Sequence, residues 1–226
     1  MNQISAHLVD VHGQLKPKLR GMVHAWSAIP MAIAGITLAL LAPTPTAKAA
    51  VFVYALAVTS MLTASACYHR LKVSERVRHY LRRLDHSMIG VAVAGTYTPV
   101  VVLTMSGTAR TTLLICLWAG ALGAMAVSFL WPKAPSWVRA AVYLVLGWSG
   151  AVAMPSLLNH AGVPAFVMVL VGAGLYSLGA LAYASRRPKL WPKVFGFHEA
   201  FHSLVVAAAI SHMVAVGLVV AATNGI

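Results

Sequence analysis

Seven long apolar stretches organise almost the whole chain, and only short polar segments separate them. The stretches cover about 21–42, 50–70, 84–105, 110–130, 137–158, 163–184 and 198–222. Each reaches the length of about 20 residues that a helix needs to cross a bilayer. Their apolar runs are continuous and lack the period of two that is typical of barrel strands. The pattern predicts an all-α integral membrane protein, a bundle of seven transmembrane helices in residues 21–226, preceded by a polar arm at 1–20.

Composition agrees with this prediction. The chain is 60% hydrophobic and only 9% charged, and its mean hydropathy is +0.80. A soluble domain of 226 residues does not have that balance, so a bilayer is expected to surround most of the chain. The apolar run after the first 20 residues is too long for the core of a cleavable signal, and the first span is therefore predicted to remain as an anchor.

Basic residues predict the orientation of the bundle. With a cytoplasmic N-terminus, all but two of the 17 Lys and Arg residues fall on the cytoplasmic side, many of them in a loop predicted at 72–83; only Lys48 and Arg110 fall outside. This asymmetry predicts a bacterial inner-membrane protein with a cytoplasmic N-terminus and a periplasmic or extracellular C-terminus. The formal charge of +13 is then explained by topology and by basic cytoplasmic loops that contact anionic headgroups, and no nucleic-acid partner is expected.

Ionisable residues gather at the cytoplasmic ends of three predicted spans. His69 ends span two, Asp85 opens span three, and His198 and His202 open span seven. The last two are four residues apart, so both rings project from one helix face; Ser65 and His69 have the same spacing. Ionisable groups at membrane depth are costly and are usually paired, metal-bound or functional. Hydrogen bonds between helices are the simpler interpretation of such histidines, but the shared depth of all four groups favours a metal site.

Three imidazoles are a ligand set that suits zinc. A catalytic zinc typically keeps three protein ligands and one water, whose pKa falls to about 7. We therefore predict a zinc ion held by His69, His198 and His202 near the cytoplasmic face. Asp85 is expected to hold or deprotonate the zinc-bound water, and Ser65 to orient that water or a substrate carbonyl.

The string HEAFH at 198–202 also matches the HExxH pattern of zinc proteases, in which the glutamate is the general base. After His202 the chain has no acidic residue, and its one later histidine, His212, lies about 21 Å along the helix from His198. The third ligand must therefore come from upstream. Glu199 is predicted to cap the helix or to pair with a basic loop residue. His24 and His86, near the cytoplasmic layer, are candidates for supporting the ligands or for a structural role.

Three strings give the chain a resemblance to a known family. They are SACYHR (65–70), RLDHSMIGVAVAGTYTP (83–99) and VFGFHEAFHSL (194–204). With these strings and its seven-span layout, nearly the whole chain resembles the hemolysin III family, the bacterial branch of the progestin and adipoQ receptor (PAQR) group. The wider group is similar to alkaline ceramidases in a pattern of Ser, Asp and three His, found here as Ser65, Asp85, His69, His198 and His202. The resemblance implies zinc, a seven-helix bundle and a cytoplasmic N-terminus.

Three functions are compatible with these features. The first is a ceramidase-like, zinc-dependent hydrolase that acts on the amide or ester bond of a lipid or lipid-like substrate in membrane-lipid homeostasis. The second is a non-enzymatic receptor-like or membrane-homeostasis protein, in which zinc ties spans two and seven together. The third is a cytolytic pore former; the absence of a polar-lined helix argues against a wide channel.

Overall fold

The computed structural model describes residues 17–188, 190–191 and 193–225, so most of the arm predicted at 1–20 lies outside the described residues. The α helices are, in order, α1 (Met22–Leu41), α2 (Pro45–Arg70), α3 (Glu75–Thr104), α4 (Gly107–Leu130), α5 (Ser136–Ser149), α6 (Met154–Ser185) and α7 (Phe197–Thr223). A short 3-10 helix, Gly150–Ala153, joins α5 to α6. The all-α prediction is confirmed for the described part of the chain.

By length and hydropathy, six helices of the described residues are able to cross a membrane, one fewer than the sequence predicts. The difference lies in residues 136–185, which form one helical run of 50 residues where the sequence predicts separate spans at 137–158 and 163–184. This run is not a straight helix. Gly162 interrupts it with φ 73° and ψ −175°, a conformation that is essentially restricted to glycine.

Two side-chain hydrogen bonds demonstrate that the run doubles back on itself. Arg139 Nη2 donates to the Tyr183 hydroxyl over 3.1 Å, and Trp148 Nε1 donates to Ser177 Oγ over 3.2 Å. In a straight helix, Arg139 and Tyr183 would lie about 66 Å apart. Along the sequence, the midpoint of each pair lies close to Gly162. Gly162 therefore marks the reversal between two antiparallel arms.

Helix α3 begins earlier than the sequence predicts. It starts at Glu75, with Ser74 at its N-cap, whereas the third span is predicted to start at 84 after a basic loop. Hydropathy detects only the apolar part of a helix, while Arg and Leu are good helix formers and can extend it beyond the apolar layer. Glu75 in the first turn also interacts favourably with the helix dipole. Asp85 therefore lies inside α3 and does not open it.

Small residues allow α1, α2 and α3 to pack closely. Gly35 of α1 lies against Ala55 of α2, and Gly95 of α3 lies against Ala57 of α2, so that a side chain at either glycine would overlap its neighbour. Such close approach is the usual basis of helix packing in lipid, because burial of apolar surface gives little drive there. Large apolar side chains are exposed on the outer helix faces, among them Ile29, Ile33, Leu40, Leu122 and Leu178.

The directions of the helices bring four ends to the same side of the bundle. Helix α2 ends there with His69 and Arg70, whereas α1, α3 and α7 begin there. The ring of His24, in the first turn of α1, lies 3.9 Å from the ring of His202 in α7, measured between centroids. We call this side the basic end, because the Arg and Lys residues near the starts of α1 and α3 lie on it.

Candidate metal centre

The three histidines singled out from the sequence converge in the structure. His69, His198 and His202 each offer one ring nitrogen, and these three nitrogens lie within 4.8 Å of one another. Nε2 of His69 is 3.2 Å from Nε2 of His198. The cluster joins the end of α2 to the start of α7. It therefore depends on how these two helices pack, in addition to the helical spacing of His198 and His202.

The donor set and its surroundings fit a metal ion. Nδ1 of His202 is buried and has no hydrogen-bond partner among the described residues. The residue itself is 2% exposed. Neutral imidazoles packed nitrogen to nitrogen can pair only as donor and acceptor, as Nε2 of His69 and Nε2 of His198 can at 3.2 Å, whereas a cation between the three rings would accept a lone pair from each. The cluster of His69, His198 and His202 could therefore hold a metal ion.

The acidic residue of the predicted site lies beside this cluster. Asp85 Oδ2 is 3.9 Å from Nε2 of His69, which is longer than a hydrogen bond. The carboxylate reaches this position because α3 continues two turns beyond its apolar part, so Asp85 faces α2 from within the helix. At this distance Asp85 is placed to support the cluster or a group bound to it.

Ser65 lies one helical turn before His69 on the same face of α2. The residue is only 1% exposed, and its hydroxyl lies near the Asp85 carboxylate without a well-aligned hydrogen bond to it. Buried hydroxyl groups are nearly always paired. A buried hydroxyl that borders the histidine cluster and lacks a well-aligned hydrogen bond is therefore a group to which a bound ligand can bond.

His24 belongs to the site more closely than the sequence predicts. Its ring stacks on His202 with a centroid distance of 3.9 Å and an interplanar angle of 7°. It is 2% exposed, and neither ring nitrogen forms a well-aligned hydrogen bond among the described residues. The stack restrains the orientation of His202. The sequence signal for it was a histidine in the first turn of an otherwise apolar span.

Glu199, the acidic residue of the HEAFH string, is occupied by other partners. Its Oε2 accepts a hydrogen bond of 2.8 Å from the backbone N–H of Gly196, and its Oε1 pairs with Arg20. The residue is 1% exposed. The prediction that Glu199 caps the helix or pairs with a basic loop residue is confirmed, since it does both, with Arg20 as the basic partner. The arrangement holds the start of α7 against the segment that leads into α1.

An apolar cavity extends from the histidine cluster into the bundle. Its lining includes Ser65, Asp85, His198 and His202 at one end and His212 at the other. His202 and His212 are ten residues apart on α7, so the cavity runs about 15 Å along the helix.

The far part of the cavity is formed mainly by aromatic and aliphatic side chains. Tyr97, Trp148 and Tyr176 line it, and the ring of His212 stacks on Tyr176 with a centroid distance of 5.5 Å. Gly172 leaves the space that the His212 ring fills. A mostly apolar cavity with a few polar groups at one end is typical of a ligand site.

The fold and the site define a multi-pass helical membrane protein with a buried histidine cluster. Residues 12–213 match the family described as Haemolysin-III related. The chain belongs to this family, which confirms the resemblance drawn from the three sequence strings.

Individual relatives agree with this assignment. The chain is 32% identical over 135 residues to the hemolysin-3 homolog of Bacillus subtilis (strain 168), a match that spans 60% of this chain and 61% of that protein. It is 28% identical over 166 residues to hemolysin-3 of Bacillus cereus, spanning 74% and 73% of the two chains. It is also 34% identical over 182 residues to heptahelical transmembrane protein ADIPOR2 of Oryza sativa subsp. japonica, spanning 73% and 79%.

Proposed function

We propose that this protein is a zinc-dependent hydrolase that cleaves an amide or ester bond of a membrane lipid, in membrane-lipid homeostasis of the bacterial inner membrane. The observation that carries this proposal is the cavity lined by Ser65, Asp85, His198 and His202 at one end and by apolar side chains beyond them. An acyl chain fits the apolar part chemically, and a polar linkage at its end would then lie beside the histidine cluster.

Zinc is the proposed metal because the three ligands are imidazoles. Zn–N bonds of 2.0–2.1 Å in tetrahedral geometry separate two ligand nitrogens by about 3.3 Å. The 3.2 Å between Nε2 of His69 and Nε2 of His198 is consistent with that spacing. A zinc ion with three protein ligands supplies a coordinated water of lowered pKa and polarises a carbonyl group.

Each remaining polar group has a proposed task. Asp85 would accept a proton from the attacking water and keep it oriented, since its carboxylate lies 3.9 Å from His69 and borders the cavity. The hydroxyl of Ser65, which borders the cavity beside Asp85, would donate to the carbonyl oxygen of the bound lipid. The apolar walls would exclude bulk water and strengthen these interactions.

We also propose that the bundle crosses the membrane seven times, with a cytoplasmic N-terminus. The antiparallel arms of 136–185 supply two crossings in place of one. The name of a relative from Arabidopsis thaliana, heptahelical transmembrane protein 4, is consistent with seven. The basic end would then face the cytoplasm and contact anionic headgroups.

The test is fatty-acid release from a panel of amide- and ester-linked lipids by purified, zinc-loaded protein in bilayers. Wild-type protein is expected to release fatty acid from at least one lipid class, and Ser65→Ala to lower that rate. Ser211→Ala is the matched control, because Ser211 is also a buried serine but does not line the cavity. No release from any lipid would contradict the proposed hydrolase. It would favour a structural metal that clasps α2 to α7, since the three ligands join those two helices.

A further inference from the structure

A second cavity lies at the basic end, between the start of α3 and the turn that joins α4 to α5. Its lining is strongly cationic. The basic side chains that border it are Arg76, His79, Arg82, Arg83, Lys133 and Arg139. We call this cavity the arginine pocket. It is separate from the apolar cavity, although the side chain of His86 borders both.

Arg139 forms the buried part of the arginine pocket. The residue is 9% exposed, and its Nη1 and Nη2 donate to the carbonyl oxygen of Ala134 at 2.6 Å and to the Tyr183 hydroxyl at 3.1 Å. Its Nε is buried without a hydrogen-bond partner among the described residues. Both acceptors are neutral, so neither compensates the charge. Arg139 also lies near the N-terminus of α5, where the helix dipole disfavours a cation.

No ion pair of the described residues offsets the charge of Arg139, and the carboxylate that interacts with the pocket, Asp85, acts on Arg82 from a distance. The ion pairs of the described chain join Glu199 to Arg20, Glu75 to Arg78, and Asp85 to His69. None of them reaches Arg82, Arg83 or Arg139. A buried guanidinium without a counterion is costly, and the structure keeps this one next to several other cations. The pocket is therefore complementary to an anion from outside the chain.

We propose that the arginine pocket binds a phosphate group, carried either by an anionic phospholipid headgroup or by a soluble phosphate ester. Guanidinium groups recognise phosphate oxygens through paired charge-assisted hydrogen bonds, and Arg82, Arg83 and Arg139 offer three of them. The rim carries the exposed aromatic side chains of Tyr80 and Trp131, a residue type that concentrates at headgroup depth. Basic pockets between helices at this depth suit lipid phosphates.

The proposal does not depend on the metal or on hydrolysis, so it can be tested by binding alone. The full chain is purified in an uncharged detergent and titrated with dioctanoyl phosphatidic acid, with inorganic phosphate, and with dioctanoylglycerol as the phosphate-free lipid. Affinities are measured by calorimetry, and retained lipid by native mass spectrometry. Phosphatidic acid or phosphate is expected to bind wild-type protein, and dioctanoylglycerol is not expected to compete.

Two double variants remove the same charge from the same end of the bundle. Arg83→Gln with Lys133→Gln empties part of the pocket, whereas Lys72→Gln with Arg187→Gln removes two exposed cations that do not line it. The pocket variant is expected to weaken phosphate binding about tenfold or more, and the control variant to change it little. Arg139→Gln should weaken binding as well. Because Lys133 is exposed and Arg83 is only half-buried, their double variant is expected to fold even if Arg139→Gln does not.

The outcomes separate the two sources of phosphate. Binding of phosphatidic acid that inorganic phosphate does not displace assigns the pocket to a lipid headgroup. Displacement by phosphate at similar concentration assigns it to a soluble ester. Equal weakening by both double variants would overturn the pocket in favour of a general electrostatic surface. Equal binding of dioctanoylglycerol, or no binding of any phosphate compound, would overturn it as well.

Discussion

At the scale of single residues, the central feature is a set of buried polar atoms without well-aligned hydrogen bonds. Ser65 Oγ, His202 Nδ1 and both nitrogens of His24 are buried and make no well-aligned hydrogen bond among the described residues. Each such atom costs free energy of about 1–3 kcal/mol when no partner is supplied. Their concentration around one cluster is consistent with a site at which a bound metal ion and ligand would supply the partners.

Metal analysis tests this interpretation directly. The double variant His198→Ala with His202→Ala is expected to lower zinc from about one ion per chain to almost none, because it leaves a single imidazole. The control removes two imidazoles elsewhere, His79→Ala with His160→Ala, and should retain zinc. Stoichiometric zinc in the first variant, measured on detergent-purified protein, would exclude His198 and His202 as the ligands.

Asp85→Asn separates a supporting role from direct ligation. The 3.9 Å between Asp85 Oδ2 and His69 Nε2 favours a carboxylate that holds a group bound to the metal. The variant should therefore keep most of the zinc, while lipid hydrolysis falls about 10- to 100-fold, as is usual when such a supporting partner is lost. His69→Ala is the comparison. If Asp85→Asn releases zinc as completely as His69→Ala does, Asp85 is itself a zinc ligand. The protein would then fill all four coordination positions and leave none for a water.

At the scale of helices, sequence patterns predict the apolar layer well and the polar extensions poorly. The bounds of α1, α4 and α7 agree with the predicted spans to within a few residues, because apolar length determines all three. The first turns of α3 and the reversal at Gly162 could not be predicted in this way. A charged helical segment has the hydropathy of a loop, and a glycine in a helical pattern does not reveal its backbone conformation.

The same limit applies to the site. The spacing of His198 and His202, and that of Ser65 and His69, follows from helical periodicity and was predicted. The stack of His24 on His202 and the pairing of Arg20 with Glu199 depend on how α1 approaches α7. No spacing within one helix encodes that approach, so the sequence indicated only that His24 lies in the same layer.

The backbone conformation at Gly162 predicts that any side chain at this position would be strained. Gly162→Ala places a side chain at φ 73° and ψ −175°, a region that only glycine adopts readily, and should lower the free energy of unfolding by about 1–3 kcal/mol. Gly174→Ala, in the regular part of α6, is the matched control, because a side chain there would meet open space. Equal thermal midpoints for the two variants in detergent would contradict the assigned backbone conformation.

The contact between Arg20 and Glu199 should behave as a buried ion pair that fixes the start of α7. The two side chains are 11% and 1% exposed. Arg20→Met leaves the Glu199 carboxylate buried without its cation and should cost about 3 kcal/mol. Arg20→Met with Glu199→Gln removes both charges but keeps an acceptor for Gly196 N–H, so its loss should be less than half as large. Thermal unfolding of both variants tests this, and a larger loss in the double variant would contradict it.

At the scale of the whole molecule, the convergence of the histidines constrains the number of crossings. His69 ends α2 and His198 begins α7, so these two helices must run in opposite directions across the membrane. If α3 and α4 each cross once, then residues 136–185 must cross an even number of times. The antiparallel arms around Gly162 satisfy this requirement, whereas a single 50-residue crossing would put His69 and His198 on opposite faces.

Reporter fusions test the resulting orientation. With a cytoplasmic N-terminus and seven crossings, a fusion after His160 and a fusion after Ile226 should both be exported, while a fusion after Pro188 should stay in the cytoplasm. The physical reason is the asymmetry of Lys and Arg, which leaves only Lys48 and Arg110 on the outer side. A cytoplasmic signal at His160 together with export at Ile226 would mean that the two arms enter and leave by the same face. A cytoplasmic signal at Ile226 would mean an even number of crossings. His69 and His198 would then lie on opposite faces of the membrane, which would contradict the histidine cluster.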